Sequence, residues 1–98
     1  MNELFGLFSK PNPDIEIGEE ILYKLKNEEF DVNREIKSDY ANYYIFFQDN
    51  SVAVVRFKDQ PSIHFKKDGK TQRLNLSSFL ANQIYDCAWK KFHKTKKS

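Results

Sequence analysis

Apolar side chains recur along this chain in two rhythms, a helical one near each end and a strand-like one between them. The first helical stretch runs from Gly18 to about Glu29. Ile17, Ile21, Leu22 and Leu25 form its apolar stripe, and Glu19 and Glu20 occupy the first turn, where the helix dipole favours negative charge. Phe30 to Lys37 follows with Val32, Arg34 and Ile36 on one side, which predicts a strand. The segment Ser38-Asp39-Tyr40-Ala41-Asn42 then makes the corner into the next element.

Residues 43–57, YYIFFQDNSVAVVRF, predict a β-hairpin because Asp and Asn tolerate the backbone geometry of a tight turn. With Asp49-Asn50 as a two-residue loop, Phe47 faces Val52, Ile45 faces Val54 and Tyr44 faces Val55. A third hairpin strand covers Ser62 to Lys66, with Ile63 and Phe65 on one side and Ser62, His64 and Lys66 on the other. Asp68-Gly69 is a second tight-turn signal, so Lys70 to Leu74 returns as an edge strand whose Lys, Arg and Gln discourage edge-to-edge pairing.

The last helix starts at Leu76 or Ser77 and runs to Phe92. Its stripe reads Leu76, Phe79, Leu80, Ile84, Cys87 and Ala88, widened by Tyr85, Trp89 and Phe92. The pattern as a whole predicts an α+β fold. It has a short N-terminal helix, an antiparallel meander sheet of four to five strands, and a long amphipathic C-terminal helix packed on one face. Residues 14–94 form the single domain, 1–13 an N-terminal tail or docking segment, and 95–98 a basic tail.

The hairpin is apolar on both faces, which a sheet covered on one side does not require. In the two-residue-loop register, Ile45, Phe47, Val52, Val54, Ile63 and Phe65 make the main core under the long helix. Tyr44, Phe46, Val55 and Phe57 remain on the second face. The first helix, the Leu4 to Phe8 segment, or another molecule, including a second copy of the chain, would cover it. Leu4, Phe5, Leu7 and Phe8 are themselves too apolar for a free tail and make the other candidate docking element.

Composition narrows the possible functions. At 98 residues there is room for one core and one job. No apolar run approaches the roughly 20 residues of a membrane-spanning helix, and the N-terminus lacks the basic and apolar regions of a secretory signal. With Cys87 as the single cysteine, a cytoplasmic protein without disulfides is expected. The net charge of +2 conceals an asymmetry. Residues 1–39 hold ten acidic and five basic side chains, net −5, and residues 40–98 hold four and eleven, net +7.

Candidate chemistry is sparse. His64, Cys87 and His93 have no metal-ligand spacing, so neither a metal nor another cofactor is expected. The three glycines make no phosphate-binding loop, and no Ser, Thr or Lys stands in a nucleophile motif, so no catalytic residue is assigned. Basic residues do cluster: Lys66, Lys67, Lys70 and Arg73 around the second turn, and Lys90, Lys91 and Lys94 at the end of the last helix. If the fold joined the two clusters, they would neutralise several phosphates. The leading expectation is a small non-catalytic accessory factor or inhibitor, of a kind also carried by phages and other mobile elements. It binds another protein, or itself as a homodimer, through Leu4, Phe5, Leu7, Phe8, Tyr44, Phe46 and Phe57. The alternative is nucleic-acid binding through the two basic clusters, and no membrane partner is expected.

Overall fold

A computed structural model describes residues 13–27 and 30–96. In chain order the elements are α1 (Pro13–Lys26), β1 (Phe30–Ile36), β2 (Ala41–Phe47), β3 (Val52–Phe57), β4 (Pro61–Lys67), β5 (Lys70–Leu74) and α2 (Ser78–Lys96). The strands form one antiparallel sheet in the order β1-β2-β3-β4-β5, so the predicted α+β meander is the observed fold. The predicted docking residues Leu4, Phe5, Leu7 and Phe8 lie outside the described residues.

Helix α1 begins at Pro13 rather than at Gly18. A proline in the first turn loses nothing by lacking an N–H that has no helical partner, and its fixed φ suits a helix start. Asp14 secures this end. Its carboxylate accepts the Asn75 N–H at 2.8 Å and the Gln72 side-chain amide at 3.3 Å, joining the start of α1 to the end of β5.

Both helices lie on the same face of the sheet. Ile21 and Leu25 of α1 and Ala81, Ile84 and Ala88 of α2 form one buried cluster with Tyr43, Ile45, Phe47, Ala53, Val55, Ile63 and Phe65. Burial of each large aliphatic side chain in such a cluster stabilises the fold by about 1.5–3 kcal/mol. The helices run side by side because Gly18 lets them approach. A Cβ there would stand 2.9 Å from one methyl of Leu76 and 3.0 Å from one of Leu80.

The stripe of α2 differs from its prediction. Ala81, Ile84 and Ala88 are buried, whereas Phe79 is 75% exposed and Trp89 42%. Spacings of three and four residues place Ala81, Ile84, Ala88 and Phe92 on one side, and Phe79 lies about 200° around the helix from Ala81. Small alanines hold the helix close to the sheet, a role that a reading weighted toward large side chains overlooks. At its far end Phe92 and Tyr43 flank Arg34, whose guanidinium lies 4.6 Å from the Phe92 ring centre and 6.0 Å from that of Tyr43.

The central hairpin is shifted by one residue. Ile45 pairs with Ala53, Tyr44 with Val54 and Phe46 with Val52. The loop is three residues long, Gln48-Asp49-Asn50, closed by Phe47 N–H to Ser51 O and Asn50 N–H to Phe47 O, each at 3.0 Å. Asn50 alone takes a positive φ, 72°. A two-residue hairpin loop without glycine would force two residues into disfavoured backbone regions, and the longer loop requires only one. The shift moves every side chain of β3 to the opposite face. Val55 and Phe57 therefore belong to the helix-covered side and Val52 and Val54 to the other. The Phe57 ring stacks on Tyr85 at 4.6 Å, which removes it from the second face where it was expected beside Tyr44 and Phe46. By contrast, Asp68 (φ 55°) and Gly69 (φ 79°) form the two-residue turn their sequence predicts.

Candidate functional site

The sheet face turned away from the helices is covered by none of the described residues, α1 included, since α1 packs beside α2 on the other side. Strand pairing arranges this open face in three rows across the sheet. The first carries Asp31, Phe46, Val52, Lys66 and Thr71. The second carries Asn33, Tyr44, Val54, His64 and Arg73, and the third Glu35, Asn42, Arg56 and Ser62. Phe46 is 41% exposed, and Tyr44, Val52, Val54 and His64 around it are partly exposed. An apolar and aromatic centre is thus open to the outside on a rigid sheet.

The third row is a fixed polar network. The Tyr44 hydroxyl donates to Glu35 Oε1 at 2.8 Å, and Asn42 Nδ2 donates to the same oxygen at 3.2 Å. Asn42 is itself buried, and its Oδ1 accepts from Arg56 Nε at 3.1 Å. The Arg56 guanidinium also lies 4.7 Å from the Tyr40 ring centre. Lys37 approaches Glu35 Oε2 at 3.2 Å. The Tyr44 hydroxyl, the Asn42 amide and Lys37 together hold the Glu35 carboxyl below its usual range, and the bond to Glu35 raises the Tyr44 phenol above its own. These bonds fix the Tyr44 ring in place on the face.

Charge runs across the face from one edge to the other. Strand β1 contributes Asp31 and Glu35, while β4 and β5 contribute Lys66 and Arg73. His64 lies on the basic side, and burial, then Arg56 and Arg73, lower its pKa below the ordinary imidazole value, which favours its neutral form.

The basic residues do not form one patch. Lys66 and Arg73 are on the open face, whereas Lys67 and Lys70 line a groove of about 330 Å³ on the helix side with Ile17, Ile21 and Phe65. Lys90, Lys91 and Lys94 join Lys26 around a second cavity of about 280 Å³, floored by Leu25, Phe30 and Cys87. Lys91 Nζ lies 5.1 Å from the Phe30 ring centre, placing this cluster by β1, three strands from β4. That separation is about 14 Å of sheet width.

His64 is on the open face, while Cys87 and His93 belong to α2 on the opposite side of the sheet. Among the described residues no group of three or more His, Cys, Asp and Glu side chains is disposed to hold a metal ion. Burial pushes the Cys87 thiol up, which keeps it protonated and a poor nucleophile at neutral pH. Among the described residues no helix is long and apolar enough to cross a membrane.

Tyr44 and Phe46 share the open face, as simple alternation along β2 predicts; that Val52 and Val54 join them had its only signal in the choice between a two- and a three-residue loop at Gln48-Asp49-Asn50. The partnership of Asp31 and Glu35 on one edge with Lys66 and Arg73 on the other depends on sheet order and was not legible from local pattern. No protein-family model matches the chain, and neither the curated proteins nor the solved structures include one that matches it.

Proposed function

We propose that this protein is a non-catalytic binding module that acts through the open face of its sheet, with another protein chain as its partner. The observation that carries this reading is the exposed apolar centre formed by Phe46, Val52 and Val54 beside Tyr44. A contiguous apolar patch on a rigid surface, rimmed by charge, has the anatomy of a protein interface. Non-catalytic action is supported by the chemistry on this face. Tyr44 and Glu35 are engaged with each other, and His64 neighbours Val54 and Arg73 across the strands rather than a carboxylate.

Nucleic acid suits this face poorly. Asp31 directly adjoins Phe46 and Glu35 holds Tyr44, so a base stacked on either ring would bring phosphates toward carboxylates. The lysines are divided between two faces and two edges, which limits the number of phosphates that one strand of nucleic acid can meet at once.

The test is affinity capture with the tagged full chain and its F46S/V54S variant, with and without nuclease. Neither replaced side chain has a polar group in the fold's hydrogen bonds, so circular dichroism should report an unchanged fold. Proteins retained by the parent chain through nuclease treatment and lost by the variant support the reading. Equal retention by the variant, or recovery of nucleic acid alone, overturns it.

A further inference from the structure

We propose that the occupant of the open sheet face is a second copy of this chain, packed face to face about a two-fold axis that runs parallel to the strands. This rests on the docking reading above and names its partner. The carrying observation is the charge gradient, with Asp31 and Glu35 on β1 at one edge and Lys66 and Arg73 on β4 and β5 at the other.

Two sheet faces related by an in-plane two-fold have two simple arrangements. With the axis across the strands, β1 lies over β1 with its rows reversed, so Asp31 meets the second copy's Glu35 twice and Arg73 meets Arg73. Like charges juxtaposed in this way oppose association. With the axis along the strands, β1 lies over β5 and each row lies over itself. Arg73 of the second copy then comes opposite Asn33, between the carboxylates of Asp31 and Glu35. Lys66 comes opposite the Phe46 ring, where an ammonium is attracted to the aromatic face. Val52 and Val54 lie near the axis and meet their own copies. Arg56, also near the axis, is drawn aside onto Tyr40 and Asn42. Strands aligned within about 30° are the usual geometry of packed sheets.

The same dimensions limit its strength. Four gaps between strands and about six residues of strand length give a face on the order of 400 Å² per copy, about half of a standard interface. The dimer is therefore a weak, reversible one, to be sought at micromolar to millimolar protein concentrations.

Sedimentation equilibrium of the full chain from about 10 µM to about 1 mM covers that range. The expected result is a monomer at the low end and a dimer at the high end. R73E should weaken association about tenfold or more, as should D31K, and the D31K/R73E double variant should regain part of it, because an opposite-charge pair forms again at position 31 while the unchanged Glu35 now repels the acidic group at position 73. A variant that merely damages the fold would not be rescued in this way. A parent chain that stays monomeric at the highest concentration overturns the proposal, as does a dimer indifferent to all three variants. If the chain is monomeric yet loses a captured foreign protein on F46S/V54S, the docking reading stands and only the second copy is excluded. If that pair of substitutions changes neither self-association nor capture, the docking reading itself falls.

Discussion

Ile45 lies directly across from Ala53, and both are fully buried beneath the helices. That pairing assigns every side chain of β3 to a face, and it separates two valines that are adjacent in sequence. Val55 is fully buried in the core, while Val54 is on the open face. Val55→Ala should cost about 2 kcal/mol and Val54→Ala less than about 1 kcal/mol, as measured by urea denaturation. The reverse order would mean that the hairpin has the two-residue loop instead.

Phe57 gives a second check on the same register. Its ring stacks on Tyr85 under α2, so Phe57→Ala should destabilise the fold by about 2–3 kcal/mol while leaving any association through the open face unchanged in the folded protein. Loss of association without loss of stability would restore Phe57 to the docking surface.

Much of the fold was legible because local chemistry and global pattern agreed. Asp68-Gly69 supplies residues suited to the positive φ values its turn uses, and the alternation of Ile63 and Phe65 marks the buried side of β4. Legibility failed where two local solutions were close in energy or where size misled. Without a glycine, Gln48-Asp49-Asn50 turns with one positive φ instead of two, and that choice moved Val52, Val54, Val55 and Phe57. In α2 the helix-to-sheet contact rests on Ala81, Ile84 and Ala88, so the bulky Phe79 faces outward. For the candidate site, Tyr44 and Phe46 followed from alternation alone. The opposed acidic and basic edges required the strand order, which depends on contacts distant in sequence.

Gly18 reports on helix packing. A methyl group at this position would press on the ends of the Leu76 and Leu80 side chains, while alanine favours the helix by about 1 kcal/mol over glycine. These effects oppose each other, so Gly18→Ala should alter stability by no more than about 1 kcal/mol. Gly18→Val adds volume that the leucines cannot yield to and should cost about 2–3 kcal/mol. Thermal unfolding of the two variants distinguishes close helix contact from a glycine tolerated by chance.

Acid should destabilise the protein in two stages. His64 has a folded pKa below its ordinary 6.5, chiefly from burial and then from Arg56 and Arg73. The unfolded chain therefore takes up that proton more readily, and the stability His64 contributes above pH 6.5 falls away as pH drops through its lowered pKa. Lys24 binds Asp49 at 2.9 Å, and Ser51 donates to the same carboxylate through its amide and hydroxyl, so Asp49 stays ionised well below the usual 3.8. Its contribution is complete above pH 3.8 and is lost as pH falls toward its depressed pKa. Asp49→Asn keeps an acceptor for the turn but removes the exposed ion pair, at a cost below about 1 kcal/mol at neutral pH. Urea midpoints measured against pH should show a shallower acid-side decline for Asp49→Asn, and an unchanged slope would contradict the role of the Lys24 pair.

The central claim is that the open sheet face is where this chain meets a second copy of itself, and dilution followed by two-dimensional amide NMR tests it residue by residue. Between about 1 mM and about 20 µM, resonances of Tyr44, Phe46, Val52, Val54 and His64 should move together along one binding curve, and those of α1 should stay in place. Shifts confined to the helices, or a spectrum that does not change with concentration, would contradict a second copy on that face.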